Sequence, residues 1–236
     1  MISEKANVQN IFSSIAEKYD MLNTVLTLNI DRLWRKKTIN ILNLNRNHKV
    51  LDLCCGTGQM VYYACKKVEK DTEVIGLDFN EDMLNVGYKR LNESIEDYKF
   101  KLLQGDAQAL PFDDCSFDCI TIAFGLRNIP DKAKALSEMY RVLKPGGKAV
   151  CLELSTPQMP IFKQVYGLYF NHMLPIIGYL GTGSKDAYFY LRDSVNSFMT
   201  KDELCLSYKA AGFKDTGYKS LSGGIASIHY GIKPIK

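Results

Sequence analysis

The sequence has no CxxC pair, no run of basic residues and no apolar stretch long enough to cross a bilayer, and each absence removes a class of protein. Its seven cysteines are an odd number, two of them adjacent at Cys54 and Cys55. That spacing suggests neither a disulfide framework nor a zinc site, and it points to a reducing compartment. The net charge of +4 arises from 30 basic and 26 acidic residues scattered along the chain, so nothing marks a nucleic-acid footprint. The most apolar late stretch, Met173 to Leu180, is interrupted by Pro175 and Gly178 and is far shorter than the roughly 20 residues a spanning helix needs. Residues 1–9 include Glu4 and Lys5 and lack the apolar centre of a leader peptide. His48, His172 and His229 have no metal-ligand spacing, so they read as structural and no metal is expected. What remains is a chain of ordinary globular composition, 46% hydrophobic and 24% charged over 236 residues. This is enough for one domain with a full core in a cytoplasmic protein.

The pattern of apolar residues divides the chain. From Val8 to Leu44 they recur at helical spacing, interrupted by a turn-compatible stretch at Asn29 and Asp31, which predicts a helical N-terminal extension over residues 1–46. Short apolar runs then alternate with helical patterns. Strands are expected over Lys49–Cys54, Glu73–Leu77, Lys99–Gln104, Cys119–Ala123 and Lys148–Leu154. Helices are expected from about Met60 to Val68, Asp82 to Leu91 and Lys132 to Leu143. Continuous apolar strands between helices predict a doubly wound α/β fold with a mostly parallel sheet covered on both faces. Pro145-Gly146-Gly147 is read as the turn into the fifth strand. Residues 156–196 are rich in aromatics, among them Phe162, Tyr166, Tyr169, Phe170, Tyr179, Tyr188, Phe189 and Tyr190, and read as an inserted cap. A helix from about Lys201 to Ala211, followed by Phe213–Tyr218 and Ala226–Ile232 as an antiparallel pair, closes a seven-stranded sheet within a single domain of residues 1–236.

The chemistry gathers at strand ends. The first strand runs into Asp52-Leu53-Cys54-Cys55-Gly56-Thr57-Gly58, an acid followed by a Gly-x-Gly turn, where the missing side chains let a ligand approach the backbone. The dinucleotide fingerprint needs a third glycine where this chain has Val61, which speaks against NAD or FAD. S-adenosylmethionine carries no pyrophosphate and does not need it. Asp78, at the end of the second strand, can accept from both ribose hydroxyls of an adenosine. Asp106, after the third strand, can accept from the adenine amino group, while Ala107 leaves room for the ring. Any one of these acids alone would read as a solvated strand end or a helix cap; their repetition at successive strands makes one cofactor site.

These residues resemble those of the class I, Rossmann-like methyltransferases, and further motifs resemble the C-methyltransferase family of ubiquinone and menaquinone biosynthesis over nearly the whole chain. The motifs are Tyr19-Asp20-Met21-Leu22-Asn23, Leu33-Trp34-Arg35, Phe124-Gly125-Leu126-Arg127-Asn128, Leu152-Glu153-Leu154-Ser155, Tyr190-Leu191 with Ser194, and Gly223-Gly224-Ile225-Ala226. The resemblance implies that Thr57, Asp78, Asp106 and Ala107 contact S-adenosylmethionine, with a further cofactor position at Ala123, where some members have serine. Asp31 stands where many members have histidine, and Arg192 where the cap often has proline. The implied acceptor is the reduced form of a prenylated ring, a lipophilic substrate that would bring the protein into transient contact with a membrane surface.

Within that reading, Arg127 and Asn128 are the catalytic candidates, since a guanidinium can stabilise a developing phenolate and orient a water; the plainer reading is a helix-capping turn before Pro130. Tyr19, Asn23 and Trp34 are the candidates for the acceptor pocket, set against burial of Tyr19 and Trp34 in the core. The aromatic cap could shelter a prenyl tail or cover the sheet. Demethylmenaquinol is the expected acceptor, by likeness of the Asp52–Gly58 turn to members from menaquinone-only organisms. A ubiquinone precursor, another small molecule, or a non-catalytic binding scaffold are the alternatives.

Overall fold

A computed structural model describes residues 4–157, 164, 167 and 186–235. The sheet has seven strands: β1 (Val50–Leu53), β2 (Val74–Asp78), β3 (Phe100–Gln104), β4 (Phe117–Ala123), β5 (Leu143–Leu154), β6 (Lys214–Leu221) and β7 (Ala226–Ile232). Their order is β3-β2-β1-β4-β5-β7-β6. The first five pair in parallel, and β7 runs antiparallel to both β5 and β6. The order reverses between β1 and β4, the switch point at which open α/β sheets hold ligands beyond the strands' carboxyl ends.

Helices cover both faces, which explains why β1 is buried at all four positions. On one face α3 (Asp31–Leu42), α4 (Gln59–Cys65) and α5 (Glu81–Ile95) pack Trp34, Ile39, Leu42, Val61, Leu84 and Leu91 against the sheet. On the other, α6 (Lys132–Val142) and α8 (Lys201–Ala210) contribute Leu136, Met139, Leu204 and Tyr208. Helix starts are fixed locally by side chains that accept an otherwise orphaned N–H: Asn80 from Met83, Asp131 from Lys134, and Thr200 with Glu203 in a reciprocal capping box.

The N-terminal extension is helical, as expected, but it is three helices: α1 (Glu4–Ile15), α2 (Tyr19–Leu26) and α3, with a 3₁₀ turn at Ala16–Lys18. It reaches the carboxyl ends of the strands, where Asn80 Nδ2 donates to the Gln9 carbonyl at 3.0 Å and to Ser13 Oγ at 2.9 Å. Several boundaries differ from the sequence reading: the helix expected to end at Leu91 runs to Ile95, and the strand expected to end at Tyr218 runs to Leu221. The helix expected to reach Val68 ends at Cys65. Pro145-Gly146-Gly147 does not precede β5 but lies inside it as a bulge, because Leu143 already pairs with Phe117 before Lys148 pairs with Cys119. A Cβ on Gly147 would sit 2.7 Å from the Asp118 carbonyl oxygen, and Gly146 has φ +80°, so glycine lets the extra residues fold out of register.

Of the expected cap, α7 (Asp186–Asn196) carries Tyr188, Phe189 and Tyr190, whereas Phe162, Tyr166, Tyr169, Phe170, His172 and Tyr179 lie outside the described residues. Among the described residues no helix is long and apolar enough to cross a membrane, and no cluster of His, Cys, Asp or Glu could hold a metal ion.

Candidate functional site

Two cavities lie side by side beyond the carboxyl ends of the central strands. The first, of about 110 Å³, is lined by Gly56, Asp78, Asp106, Ala107 and Ala123, and also by Asn80, Gln108, Asn128 and Phe12. The loop after β1 makes its floor. Cys54, Gly56 and Gly58 all have positive φ, at +50°, +53° and +74°, so the chain turns sharply from strand to helix. That turn aims the Gly56 N–H at Asp78 Oδ2, 2.7 Å away, while the Asn80 N–H donates to Oδ1 at 2.8 Å. Burial raises the Asp78 pKa above the ordinary carboxylate value, and these backbone donors partly offset the rise. Each Asp78 oxygen keeps a further lone pair for a ligand hydroxyl. Asp106 Oδ1 accepts from the Gln108 N–H at 2.9 Å, and Ala107 beside it is buried.

The described residues lining this cavity include two carboxylates and no lysine, arginine or histidine. Such a wall repels phosphate and suits a ligand whose charge is positive, which is the charge type of a sulfonium or an ammonium group. The carboxylate acceptors of the described lining therefore fit S-adenosylmethionine better than a nucleoside phosphate.

Three sequence candidates stand behind the cavity wall. Asp52 is 1% exposed; Thr121 donates to its Oδ1 at 2.7 Å, and its Oδ2 has no partner. Burial pushes its pKa up to about 7, with Thr121 and Arg35 pulling the other way. The Thr57 hydroxyl donates to Asp20 Oδ1 at 2.8 Å, and its carbonyl accepts from Arg90 Nε and Nη2. Gly58 is pressed against α5, where a Cβ would meet Leu91 at 2.8 Å. In the structure Thr57 and Gly58 clamp the loop, while Asp52 ties β1 to β4 through Thr121. Asp20 and Arg90, which complete the clamp with a 3.7 Å ion pair, have no role in the sequence reading, since their partners lie far along the chain.

The second cavity, of about 200 Å³, brings together Tyr19, Asn23 and Trp34 of the extension with Arg127, Phe124, Leu191 and Ser222. Tyr19 and Phe124 line both cavities, so they form the partition between them. Phe124 holds φ +59°, a conformation unusual for a bulky side chain and one that backbone strain reserves for determined sites. Trp34 is 3% exposed within the core and also lines this cavity; its ring faces Phe124 at 6.4 Å and its Nε1 donates to Ser222 Oγ at 2.9 Å.

Arg127 occupies a 3₁₀ turn, Leu126–Asn128. The plainer reading of this pair as a cap does not describe it, because α6 is capped by Asp131. Arg127 Nη1 donates to Glu153 Oε2 and to the Phe124 carbonyl, both at 2.7 Å, and the Arg127 N–H donates to Glu153 Oε1 at 3.2 Å. Burial disfavours the guanidinium charge, but Glu153, and then Tyr19, more than offset it, so the Arg127 pKa stands above the ordinary arginine value. Arg127 Nε and Asn23 Nδ2 are buried donors without a partner, in residues that both line this cavity. Unpaired buried donors are costly, at roughly 1–3 kcal/mol each, and a ligand oxygen would satisfy them. Asn128 lines the first cavity instead, its Oδ1 accepting from Tyr190 OH at 3.0 Å. Glu153, which fixes the Arg127 guanidinium, has no role in the sequence reading. Its signal is an acid inside the apolar run Cys151-Leu152-Glu153-Leu154, where a buried charge demands a partner.

Comparison with known proteins agrees with this geometry. A protein named demethylmenaquinone methyltransferase from Staphylococcus carnosus strain TM300 is 46% identical over 231 residues, 98% of this chain and 95% of that one. One of the same name from Staphylococcus aureus strain JH9 is 45% identical over 236 residues, 99% of this chain and 97% of its own. The fold is shared with a solved S-adenosylmethionine-dependent methyltransferase of Thermotoga maritima, described as a possible histamine N-methyltransferase, at a TM-score of 0.65 and 19% identity over 95% of this chain and 99% of that one. Residues 1–233 match the ubiE/COQ5 methyltransferase family, and the chain belongs to it.

Proposed function

We propose that the protein transfers a methyl group from S-adenosylmethionine to a ring carbon of a prenylated quinol, converting demethylmenaquinol to menaquinol, and that the whole chain acts as one methyltransferase domain. The observation that carries this is the pairing of cavities: one lined by carboxylates and, among the described residues, by no cation shares Tyr19 and Phe124 with an aromatic one that holds two unpaired donors. The curated relatives supply the naphthoquinol as acceptor.

Asp78 would hold the ribose hydroxyls and Asp106 the adenine amino group, with Gly56, Ala107 and Ala123 giving room; Thr57 and Gly58 support this by clamping the loop, and Asp52 by tying β1 to β4. The bound cofactor supplies an electrophilic methyl group on a positively charged sulfur. On the acceptor side, Trp34 and Phe124 offer flat faces to the ring. Arg127 Nε and Asn23 Nδ2 donate to quinol oxygen. Arg127 stays charged because Glu153 holds its pKa up, so it acts as a fixed cation and not as the base. A cation beside the quinol oxygen favours loss of its proton to water, and the resulting oxyanion pushes electron density onto the neighbouring ring carbon. That carbon would take the methyl group as the methyl–sulfur bond breaks, the neutral thioether would leave, and loss of the ring C–H proton to water would restore the aromatic ring. Glu153 and the Phe124 carbonyl hold the guanidinium in place, so little reorganisation is needed at the moment of transfer. The proposed place of action is the cytoplasmic face of a membrane that carries the quinol.

Labelled methyl transfer from S-adenosylmethionine to chemically reduced demethylmenaquinone, with a ubiquinone precursor in parallel under anaerobic conditions, tests this. Transfer to the naphthoquinol is expected. Transfer to the benzoquinol alone would move the assignment to the ubiquinone branch, and transfer to neither with intact cofactor binding would leave a binding scaffold.

A further inference from the structure

The surface outside the acceptor cavity has an unusual composition. Between α2 and α3 the chain turns through Leu28 and Asn29, both non-glycine residues at positive φ, +50° and +65°. The turn is held by the Asn29 N–H donating to the Thr24 carbonyl at 2.7 Å. Leu28 is 80% exposed, and Leu33 on the first turn of α3 is 57% exposed. A soluble turn at such φ values favours glycine or asparagine, so a leucine held there and facing solvent requires a reason beyond local folding. Leu28 and Ile30 also line the acceptor cavity, so this exposed tip is its rim.

Charge completes the picture. Residues 21–40 contain four cations, Arg32, Arg35, Lys36 and Lys37, and one acid, Asp31. That acid is buried and paired with Arg35 at 3.3 Å, while Arg32, Lys36 and Lys37 are exposed. An apolar tip backed by exposed cations, with no exposed acid on the same segment, complements an anionic phospholipid surface. A second copy of this chain would bring like charges together.

We propose that the α2–α3 turn is a docking surface for an anionic phospholipid bilayer: Leu28 and Leu33 enter the acyl boundary, Arg32, Lys36 and Lys37 contact headgroup phosphates, and the acceptor cavity opens toward the lipid. The proposal rests on reading the acceptor as a lipophilic quinol, and it gives that quinol a path that avoids water.

The test is sedimentation of the full chain with vesicles of phosphatidylcholine, with and without phosphatidylglycerol. Binding to the anionic vesicles is expected, weakening as salt rises. Joint K36E and K37E should weaken it on the order of tenfold or more, and Leu33→Glu should weaken it comparably. Joint K67E and K89E, the same charge change on exposed sites of the opposite end of the helical layer and α5, should leave it intact. Methyl transfer to a tail-truncated, water-soluble quinol should be unchanged in all these variants, while transfer to a long-chain quinol embedded in vesicles should fall with binding. Equal loss in the control variant, no vesicle binding by the native chain, or self-association abolished by Leu33→Glu in place of vesicle binding would each overturn the docking surface. Vesicle binding as described with no transfer to any quinol would instead overturn the substrate reading and leave the docking surface standing.

Discussion

The two cavities are built in opposite ways. Most of the wall of the first cavity, the one proposed for the cofactor, comes from successive loops between residues 54 and 130, each following a strand of one parallel sheet, and its Asp78 carboxylate is positioned by backbone N–H groups of Gly56 and Asn80. The wall of the second cavity, the one proposed for the acceptor, draws on Tyr19, Asn23 and Trp34 from the extension, Arg127 from the middle of the chain, and Ser222 and Ile225 from near its end. Its central charge is positioned by another side chain, Glu153. A site held by backbone geometry tolerates variation around it and serves many acceptors. A site assembled from distant side chains can change with the acceptor while the sheet stays the same, which is how a widespread fold hosts different reactions.

The sharpest way to break this comparison is at Arg127. Arg127→Ala should lower turnover about 10²–10³-fold while cofactor affinity, measured by calorimetry with S-adenosylhomocysteine, stays within about twofold. Since removing one partner of a buried pair costs roughly 3–5 kcal/mol, the double change with Glu153→Gln should recover stability without recovering turnover. Equal loss of affinity and rate would place Arg127 in the fold and not in the chemistry. A smaller effect is expected at Asp78. Asp78→Asn removes charge-assisted bonds worth roughly 1.5–3 kcal/mol, so cofactor affinity should fall about 10- to 100-fold. Trp34 is the sole tryptophan, and quenching of its emission by a quinone analogue should be unaltered in this variant; a matching change there would show that the cavities are not independent.

The smallest effect concerns stability and pH. Asp52 has its pKa raised to about 7 by burial, against about 3.9 in an unfolded chain. The folded state therefore binds the proton more tightly. Stability falls as pH rises from about 4 to 7, and the loss is complete above that window. Asp52→Asn keeps an acceptor for Thr121 and removes the charge, so it should stabilise the protein by on the order of 1–3 kcal/mol at pH 8 and by much less at pH 5. Denaturant titrations at the two pH values measure this; a gain that is independent of pH would assign the effect to packing.

Much of the fold was legible because its signals are local. The apolar run at Val50–Leu53 is a fully buried central strand, and the fourth and seventh strands were placed within two residues of their observed bounds. The Pro145–Gly147 segment was misread because a bulge and a turn use the same residues, and only the pairing of Leu143 with Phe117 distinguishes them. Around the first cavity, Gly56, Asp78, Asp106 and Ala107 come together as the strand-end pattern implies, and Ala123, which only the family resemblance singles out, joins them. The resemblance implies a cofactor contact at Thr57; the structure adds that its hydroxyl donates to Asp20 of α2, a contact across 37 positions in sequence that no local pattern reveals.

By itself, then, the sequence determined what depends on neighbours along the chain: the alternation of strands and helices, the caps, the glycine turn and the acids at strand ends. Tertiary structure alone decided what depends on distant residues meeting in a water-poor interior. There the Arg127 charge found Glu153, Trp34 found Ser222, and Tyr19 and Phe124 became one partition. The physical reason is that a buried charge or donor has no meaning until its surroundings are known, since the same side chain is costly when unpaired and fixed in place when paired.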